Sequence, residues 1–418
     1  MLPELRRVLV VGLARSGRAA ALALARRGIE VVAHDRNEEV ETGRLREAGV
    51  EVRLGAEDPA LADGVDLLVK SPGVPAETPL VAAARDRGVP VWSEVELGAR
   101  LLPNPLVGVT GTNGKTTTTE LLAAIFRAGG RPVETAGNVG RPLTALDGEI
   151  ADDAWIVCEL SSFQLEDIET LRPRVALLLN LEPDHLDRHP GFDEYAAAKL
   201  RVFERQQAGD TAVVPRGFGA VPGHAARIEF SADDALPAEP LLRGRHNREN
   251  AAAATAAARA AGLADPAIAT ALSTFSGVPH RLELVGDVNG VAYVNDSKAT
   301  NVAAVRPALE AYEDEPLHLI LGGSLKGESF PSLAQAIGPN VLRAYLVGEA
   351  TDELARALTE AGVAHERSGD LETAVRSATR AAARGDVVLL SPACASYDQF
   401  RDFEERGDRF RELVRSLG

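Results

Sequence analysis

Apolar runs of four or five residues alternate with stretches of helical periodicity along nearly the whole chain. Such alternation confines a chain to α/β folds, because a strand followed by a crossover helix returns parallel to its neighbour and the helices cover the sheet faces. Strands are predicted at 8–12, 30–34, 51–54, 66–70 and 89–92, then near 132–136, 155–160 and 174–181. Further strands are predicted at 317–322, 344–348 and 387–391. A hairpin is expected at 283–287 and 291–295, turned at Asn289-Gly290. The pattern separates into three blocks, 1–94, 95–279 and 280–418. The expected class is α/β with three domains. The first is Rossmann-like, the second is built on a phosphate loop with a mostly parallel sheet, and the third is again Rossmann-like.

The second block opens on Val107-Gly108-Val109-Thr110-Gly111-Thr112-Asn113-Gly114-Lys115-Thr116-Thr117. A buried strand here runs into a glycine-rich turn and a helix that starts with lysine and threonine. Backbone N–H groups of such a turn cradle phosphates, the lysine reaches the terminal phosphates, and the threonine offers its hydroxyl to Mg²⁺. The strict pattern has glycine where Val109 stands. The turn Gly12-Leu13-Ala14-Arg15-Ser16-Gly17, with Asp35 ending the next strand, is similar to a dinucleotide fingerprint. Ala14 replaces the glycine that lets a pyrophosphate approach the backbone, which argues against an NAD site. A phosphate can still sit at the helix N-terminus, and Asp35 is placed for a ribose or a base edge.

Of 45 Lys and Arg, only five are lysines: Lys70, Lys115, Lys199, Lys298 and Lys326. Where arginine serves as the general surface cation, the remaining lysines are candidates for compact phosphate binding or for an amine that can lose its proton. Four stand in motif-like surroundings; Lys70 reads as a leftover. Lys199 sits at helical spacing from Tyr195, Ala196, Val202 and Phe203, so it lies on an apolar face. Burial there favours the free amine, which can take a proton from a phosphate, form a Schiff base or react with CO₂ to give a carbamate. The net charge of −16 excludes nonspecific binding to nucleic acid or an anionic membrane. Two cysteines in apolar contexts, Cys158 and Cys394, suggest no disulfide framework and fit a reducing cytosol. The apolar run 8–11 is too short for a signal-peptide core, so a cytoplasmic chain is expected.

Carboxylates and amides cluster at strand ends. Glu159, in Cys158-Glu159-Leu160-Ser161-Ser162-Phe163-Gln164, is a reasonable Mg²⁺ ligand. His185 follows the next strand in Asn180-Leu181-Glu182-Pro183-Asp184-His185-Leu186-Asp187-Arg188-His189, a crowding that suits metal or phosphate work. In the third block, Asn295-Asp296-Ser297-Lys298-Ala299-Thr300-Asn301 suits an anionic ligand, as do Lys326 in Gly322-Gly323-Ser324-Leu325-Lys326-Gly327 and Ser396 in Ser391-Pro392-Ala393-Cys394-Ala395-Ser396-Tyr397-Asp398-Gln399-Phe400. The last two loops follow strand C-termini, where open α/β sheets bind ligands.

Taken in order, these motifs resemble the Mur ligases of peptidoglycan synthesis over the whole length. Segment 110–117 resembles the shared ATP loop. Segments 159–166, 184–185, 198–199 and 244–250 resemble central-domain motifs, and 295–301 and 391–400 resemble those of the member that adds D-glutamate. The resemblance implies ATP-dependent amide ligation: the carboxylate of UDP-N-acetylmuramoyl-L-alanine is phosphorylated by ATP, and the amine of D-glutamate attacks the acyl phosphate. It implies ATP and two Mg²⁺ ions as cofactors, small-molecule substrates, no nucleic acid or membrane partner, and a monomer. Gly111, Thr112, Asn113, Gly114, Lys115, Thr116, Thr117, Asn250, Arg281 and Asp296 resemble the ATP contacts. Thr116, Glu159, His185 and a carbamylated Lys199 resemble the metal-site residues, and Asn138 and His185 the groups near the reacting carboxylate. Ser16, Asp35, Ser71 and Gly73 resemble the UDP-sugar contacts, and Asn138, Ser161 and Gln164 resemble further substrate-binding residues. Lys298, Thr300, Lys326, Ser396 and Phe403 resemble the D-glutamate pocket. Arg15 and Arg36 depart from the family, where an apolar and a small polar residue are expected. The alternatives are a folylpolyglutamate-type ligase and a nucleotide-sensing or NAD-binding regulatory protein.

Overall fold

The computed structural model describes residues 4–184, 188–242, 244–325 and 329–417. Its contacts divide the chain into two compact units, Met1–Glu239 with Glu249–Ser273, and Pro240–Arg248 with Thr274–Gly418.

The first unit holds two sheets. One has strands β1 (Arg7–Val11), β2 (Glu30–Asp35), β3 (Glu51–Leu54), β4 (Leu67–Lys70) and β5 (Val91–Ser93). They are all parallel, in the order β3-β2-β1-β4-β5. Nearly every residue of β1, β2 and β4 is buried, as expected of central parallel strands covered on both faces. The other sheet has β6 (Leu106–Thr110), β7 (Val133–Gly137), β8 (Trp155–Glu159), β9 (Val175–Leu178), β10 (Thr211–Pro215) and β11 (Ala226–Phe230), in the order β11-β10-β9-β6-β8-β7. Central β6 is buried along its whole length and feeds the phosphate loop. β10 and β11 were not expected from the sequence. β11 carries the reason: it is an edge strand with four exposed residues out of five, so no apolar run marks it.

Buried acids join the two halves of this unit. Glu94 accepts from the Thr144 backbone and hydroxyl, at 2.6 Å each. Burial nevertheless pushes its carboxyl up to about 7. Glu96 accepts from the N–H groups of Glu169, Thr170 and Leu171. Lys70, far from being a leftover, is 1 % exposed and meets Asp167 at 3.0 Å, and Asp167 also holds Arg85. Breaking a buried pair strands the surviving charge. Lys70→Met is therefore expected to cost about 3 kcal/mol in urea denaturation. The double change Lys70→Met with Asp167→Leu should cost less; an equal or larger loss would show that the pair itself is not what matters.

The second unit holds β12 (Glu283–Val288), β13 (Val291–Asn295), β14 (Leu317–Gly322), β15 (Val341–Val347), β16 (His365–Gly369) and β17 (Val387–Leu390), in the order β12-β13-β17-β14-β15-β16. Only β12 runs antiparallel, through the expected hairpin: Asn289 and Gly290 both have positive φ, the signature of a tight two-residue turn. The helix Phe192–Leu200, which carries Lys199, continues as one tighter turn, Arg201–Phe203. No helix among the described residues is long and apolar enough to cross a membrane.

Candidate active site

The phosphate loop turns on glycines in conformations that other residues rarely adopt. Gly114 caps the helix Lys115–Ala128 at φ 82°, a left-handed conformation, and a Cβ on it would collide with the Asn250 side-chain amide. Asn250 thus packs directly on the loop. Asn180 shapes the loop from the other side, its side-chain oxygen accepting from Thr112 N at 3.1 Å and Asn113 N at 2.8 Å. Lys115 Nζ donates to the carbonyls of Gly111 (2.9 Å) and Thr112 (2.7 Å), folded back over the turn. Thr116 and Thr117 follow in the first turn of the helix, with Thr116 buried.

Lys199 reaches the same loop. It is 2 % exposed, its Nζ donates to Gly111 O at 2.7 Å, and it lies 4.7 Å from the centre of the Tyr195 ring. Burial and then the nearby Lys115 charge lower its pKa to about 7, against the opposing pull of Asp184 and Glu159. A neutral amine is thus accessible near physiological pH. The Tyr195 hydroxyl meets the Thr112 hydroxyl at 3.0 Å, tying the lysine's helix to the loop.

Glu159 ends β8 beside this loop at 2 % exposure. One carboxylate oxygen accepts from Asn138 Nδ2 at 2.9 Å; the other is buried and has no hydrogen-bond partner among the described residues. A buried, unsatisfied carboxylate oxygen is costly and calls for a cation. Magnesium, held by one or two carboxylates plus waters and phosphate oxygens, fits that donor set. No group of three His, Cys, Asp or Glu side chains placed to hold a metal ion occurs among the described residues, so the fit rests on Glu159 with oxygen donors such as Thr116. Ser161 and Gln164 form a reciprocal cap on the short helix Ser162–Leu165, and the Gln164 amide nitrogen is buried with no hydrogen-bond partner among the described residues. His189 is engaged structurally, against the Ser162 hydroxyl at 3.0 Å and Glu166 at 3.3 Å. His185 and Lys326 lie outside the described residues.

A cavity of about 440 Å³ opens in the same unit, where β1 and β2 end. Ser16, Asp35, Ser71, Gly73 and Asn138 all line it. Asp35 accepts from Leu13 N (2.5 Å) and Asn37 N (2.8 Å), so its carboxylate braces both turns. Of the two unexpected arginines, Arg36 is held by Glu57 at 2.6 Å and Arg15 reaches Gly140 O at 3.4 Å.

In the second unit, Asp296 is 4 % exposed and accepts from the Ser391 hydroxyl (2.7 Å) and Leu282 N (3.2 Å); burial raises its pKa to about 7. Arg281 lies near enough to oppose that rise. Lys298 lies 5.9 Å from the Phe403 ring, Ser396 is buried in the 391–400 loop, and Thr300 N turns back to Lys298 O. Sequence reasoning missed Arg406. It is 2 % exposed and donates to Ser297 Oγ (2.9 Å) and O (2.9 Å), Cys394 O (3.1 Å) and Ala395 O (3.3 Å). Burial lowers its pKa to about 10, against the opposing pull of Cys394 and Asp398. His280, Leu282 and Ala393 adopt positive φ around these loops, backbone strain that clusters at functional sites. Arg406→Met would strand several buried carbonyls and is expected to destabilise the protein by about 3 kcal/mol. Denaturation within 1 kcal/mol of the wild type would contradict this clamp.

Three family descriptions match the chain: the Mur ligase MurD-like N-terminal domain over residues 6–93, the Mur ligase middle domain over 109–219, and the Mur ligase glutamate ligase domain over 280–394. The UDP-N-acetylmuramoylalanine–D-glutamate ligase of Anaeromyxobacter dehalogenans is 46% identical over 458 residues, covering 99% of this chain and 98% of the relative. The ligase of the same name from Acidobacterium capsulatum is 41% identical, covering 98% and 96%. Among solved structures, UDP-N-acetylmuramate-alanine ligase MurC from Thermotoga maritima superposes with a TM-score of 0.57 at 19% identity, covering 99% of this chain and 100% of that one, a likeness of fold.

Proposed function

The chain belongs to the Mur ligase family, and from that membership we propose that it joins D-glutamate to UDP-N-acetylmuramoyl-L-alanine at the expense of ATP, in peptidoglycan precursor synthesis. The observation that carries the chemistry is the convergence of Lys115 and Lys199 on one phosphate-loop carbonyl, with a buried, half-satisfied Glu159 at the end of a strand hydrogen-bonded to the loop's own strand.

In this reading the alanyl carboxylate attacks the γ-phosphorus of ATP, ADP departs, and the amine of D-glutamate then displaces phosphate from the acyl carbon. There is little covalent work for side chains; the barrier lies in crowded negative charge, so fixed cations and positioning supply the catalysis. Loop N–H groups from Gly111 to Thr117 and Lys115 Nζ bind the phosphates. Thr116, Glu159, His185 and Lys199 would hold two Mg²⁺ ions, which neutralise phosphoryl charge when bound. A carbamate on the Lys199 amine would turn that cation into an oxygen donor. Asn138, fixed by Glu159, would orient the substrate carboxylate. Asn250, Arg281 and Asp296 would serve the nucleotide. Ser16, Asp35, Ser71 and Gly73 would hold the UDP-sugar, with Ser161 and Gln164 on its acyl end. Lys298, Thr300, Lys326, Ser396 and Phe403 would hold D-glutamate. The domains would follow 1–94, 95–279 and 280–418, in a monomer acting in the cytoplasm.

The test is phosphate release from ATP by the purified chain with UDP-N-acetylmuramoyl-L-alanine and either D- or L-glutamate. Release is expected with the D-isomer and not with the L-isomer. Release with neither, or ATP cleavage indifferent to both substrates, would overturn the assignment.

A further inference from the structure

Two buried side chains of the first unit have hydrogen-bonding capacity that the protein leaves unused. His34 is 1 % exposed, and neither ring nitrogen has a partner among the described residues. Thr78 is 5 % exposed, and its hydroxyl also has none. Both line the 440 Å³ cavity that Asp35 and Ser71 line.

Their placement follows from the fold. Alternate residues of a strand share a face. Val32 packs with Leu80 and Val81, the core between the first sheet and the helix Pro79–Asp86. His34, two residues on, continues that face to where β2 ends and the cavity begins. Thr78 precedes the helix at its capping position, where a threonine hydroxyl ordinarily accepts from a helix N–H. Here it makes no capping bond: Pro79 has no N–H, and Leu80 N donates to Glu57 at 3.2 Å. Meanwhile Asp35 is engaged by two backbone N–H groups and Arg36 by Glu57. Unspent polar capacity therefore lies at the inner wall, in His34 and Thr78. Native proteins seldom leave such groups unsatisfied, because the lost hydration of each is not recovered.

We infer that His34 and Thr78 are specificity-determining residues that hydrogen-bond the nucleoside part of the nucleotide-sugar, directly or through an ordered water. The identity of the ligand rests on the proposed function; the assignment of these two residues rests on the cavity. A neutral imidazole presents one donor and one acceptor, and a hydroxyl presents both. That set complements a heterocycle with an imide edge, an N–H flanked by two carbonyls.

The test is calorimetric titration of the full chain with UDP, alongside melting without ligand. His34→Leu and the isosteric Thr78→Val are each expected to weaken UDP binding about tenfold, the scale of one lost hydrogen bond in a buried site. The unliganded protein should melt no lower than wild type, because an apolar group relieves an unsatisfied polar one. His34→Gln, which keeps a donor and an acceptor, should retain most of the affinity. In turnover the loss should appear in the KM for the nucleotide-sugar and not in that for D-glutamate. Unchanged UDP affinity in both variants overturns the inference, as does lower affinity accompanied by lower melting without rescue by glutamine, the mark of a packing role. A wild-type chain that binds no UDP would instead overturn the functional reading, and this inference with it.

Discussion

Replacing Lys115 by alanine is expected to abolish acyl-phosphate formation in a single turnover, with kcat lower by on the order of a thousandfold. The argument is local. Lys115 is the first residue of a helix whose N–H groups already face the turn, and its ammonium stands over the carbonyls of Gly111 and Thr112. When phosphates occupy the turn, that ammonium is the compact charge available to the oxygens that gain charge in the transition state. Lys326→Ala, by the family resemblance of that position, should mainly raise the apparent KM for D-glutamate and leave the first step intact. Rapid-quench measurement of trapped acyl phosphate separates the two. Equal losses in both steps for both variants would sink this division of labour.

The second large effect is expected at Lys199. Lys199→Arg should be folded and inactive, with a loss again on the order of a thousandfold. A guanidinium keeps its proton near neutral pH and cannot add CO₂. Lys199→Ala should recover part of its activity when short carboxylates are supplied. The buried amine also sets a pH dependence. Its pKa of about 7 means that activity needing the neutral amine falls as pH drops through 7. The unfolded lysine holds its proton up to about 10.5, whereas the folded one releases it near 7. The unfolded state therefore binds more protons across that window, and stability rises with pH from 7 to 10.5. In Lys199→Met that contribution to the slope should vanish. Wild-type activity in the arginine variant would end the carbamate reading.

What could be read from the chain alone depended on how local each signal was. The phosphate loop is eleven consecutive residues whose glycines, lysine and threonines announce their geometry. The central strands announce themselves because burial on both faces demands unbroken apolar runs. Edge strands did not: β11 faces solvent, and β16 is the polar run His365-Glu366-Arg367-Ser368-Gly369 with one buried residue. Arg406 was hidden for another reason. It is one of forty arginines, it sits in an ordinary amphipathic helix, and part of what it binds lies 109 residues away in sequence. His34 was masked by its neighbours, since a histidine directly after Val31-Val32-Ala33 reads as part of a core strand. Lys70 was misjudged because its partner Asp167 belongs to a different sheet's loop. Its pairing is visible only once the two halves of the first unit are docked.

The Arg406 guanidinium binds one turn near Ser297 and another at Cys394-Ala395 through carbonyls and a hydroxyl. A single rigid plane that serves as the shared hub of separate turns makes them thermodynamic neighbours despite their distance in the chain. Selection acting on either turn consequently feels the other. Pairs of substitutions drawn from the two turns should combine non-additively, so that the order in which such changes accumulate decides which evolutionary routes stay open.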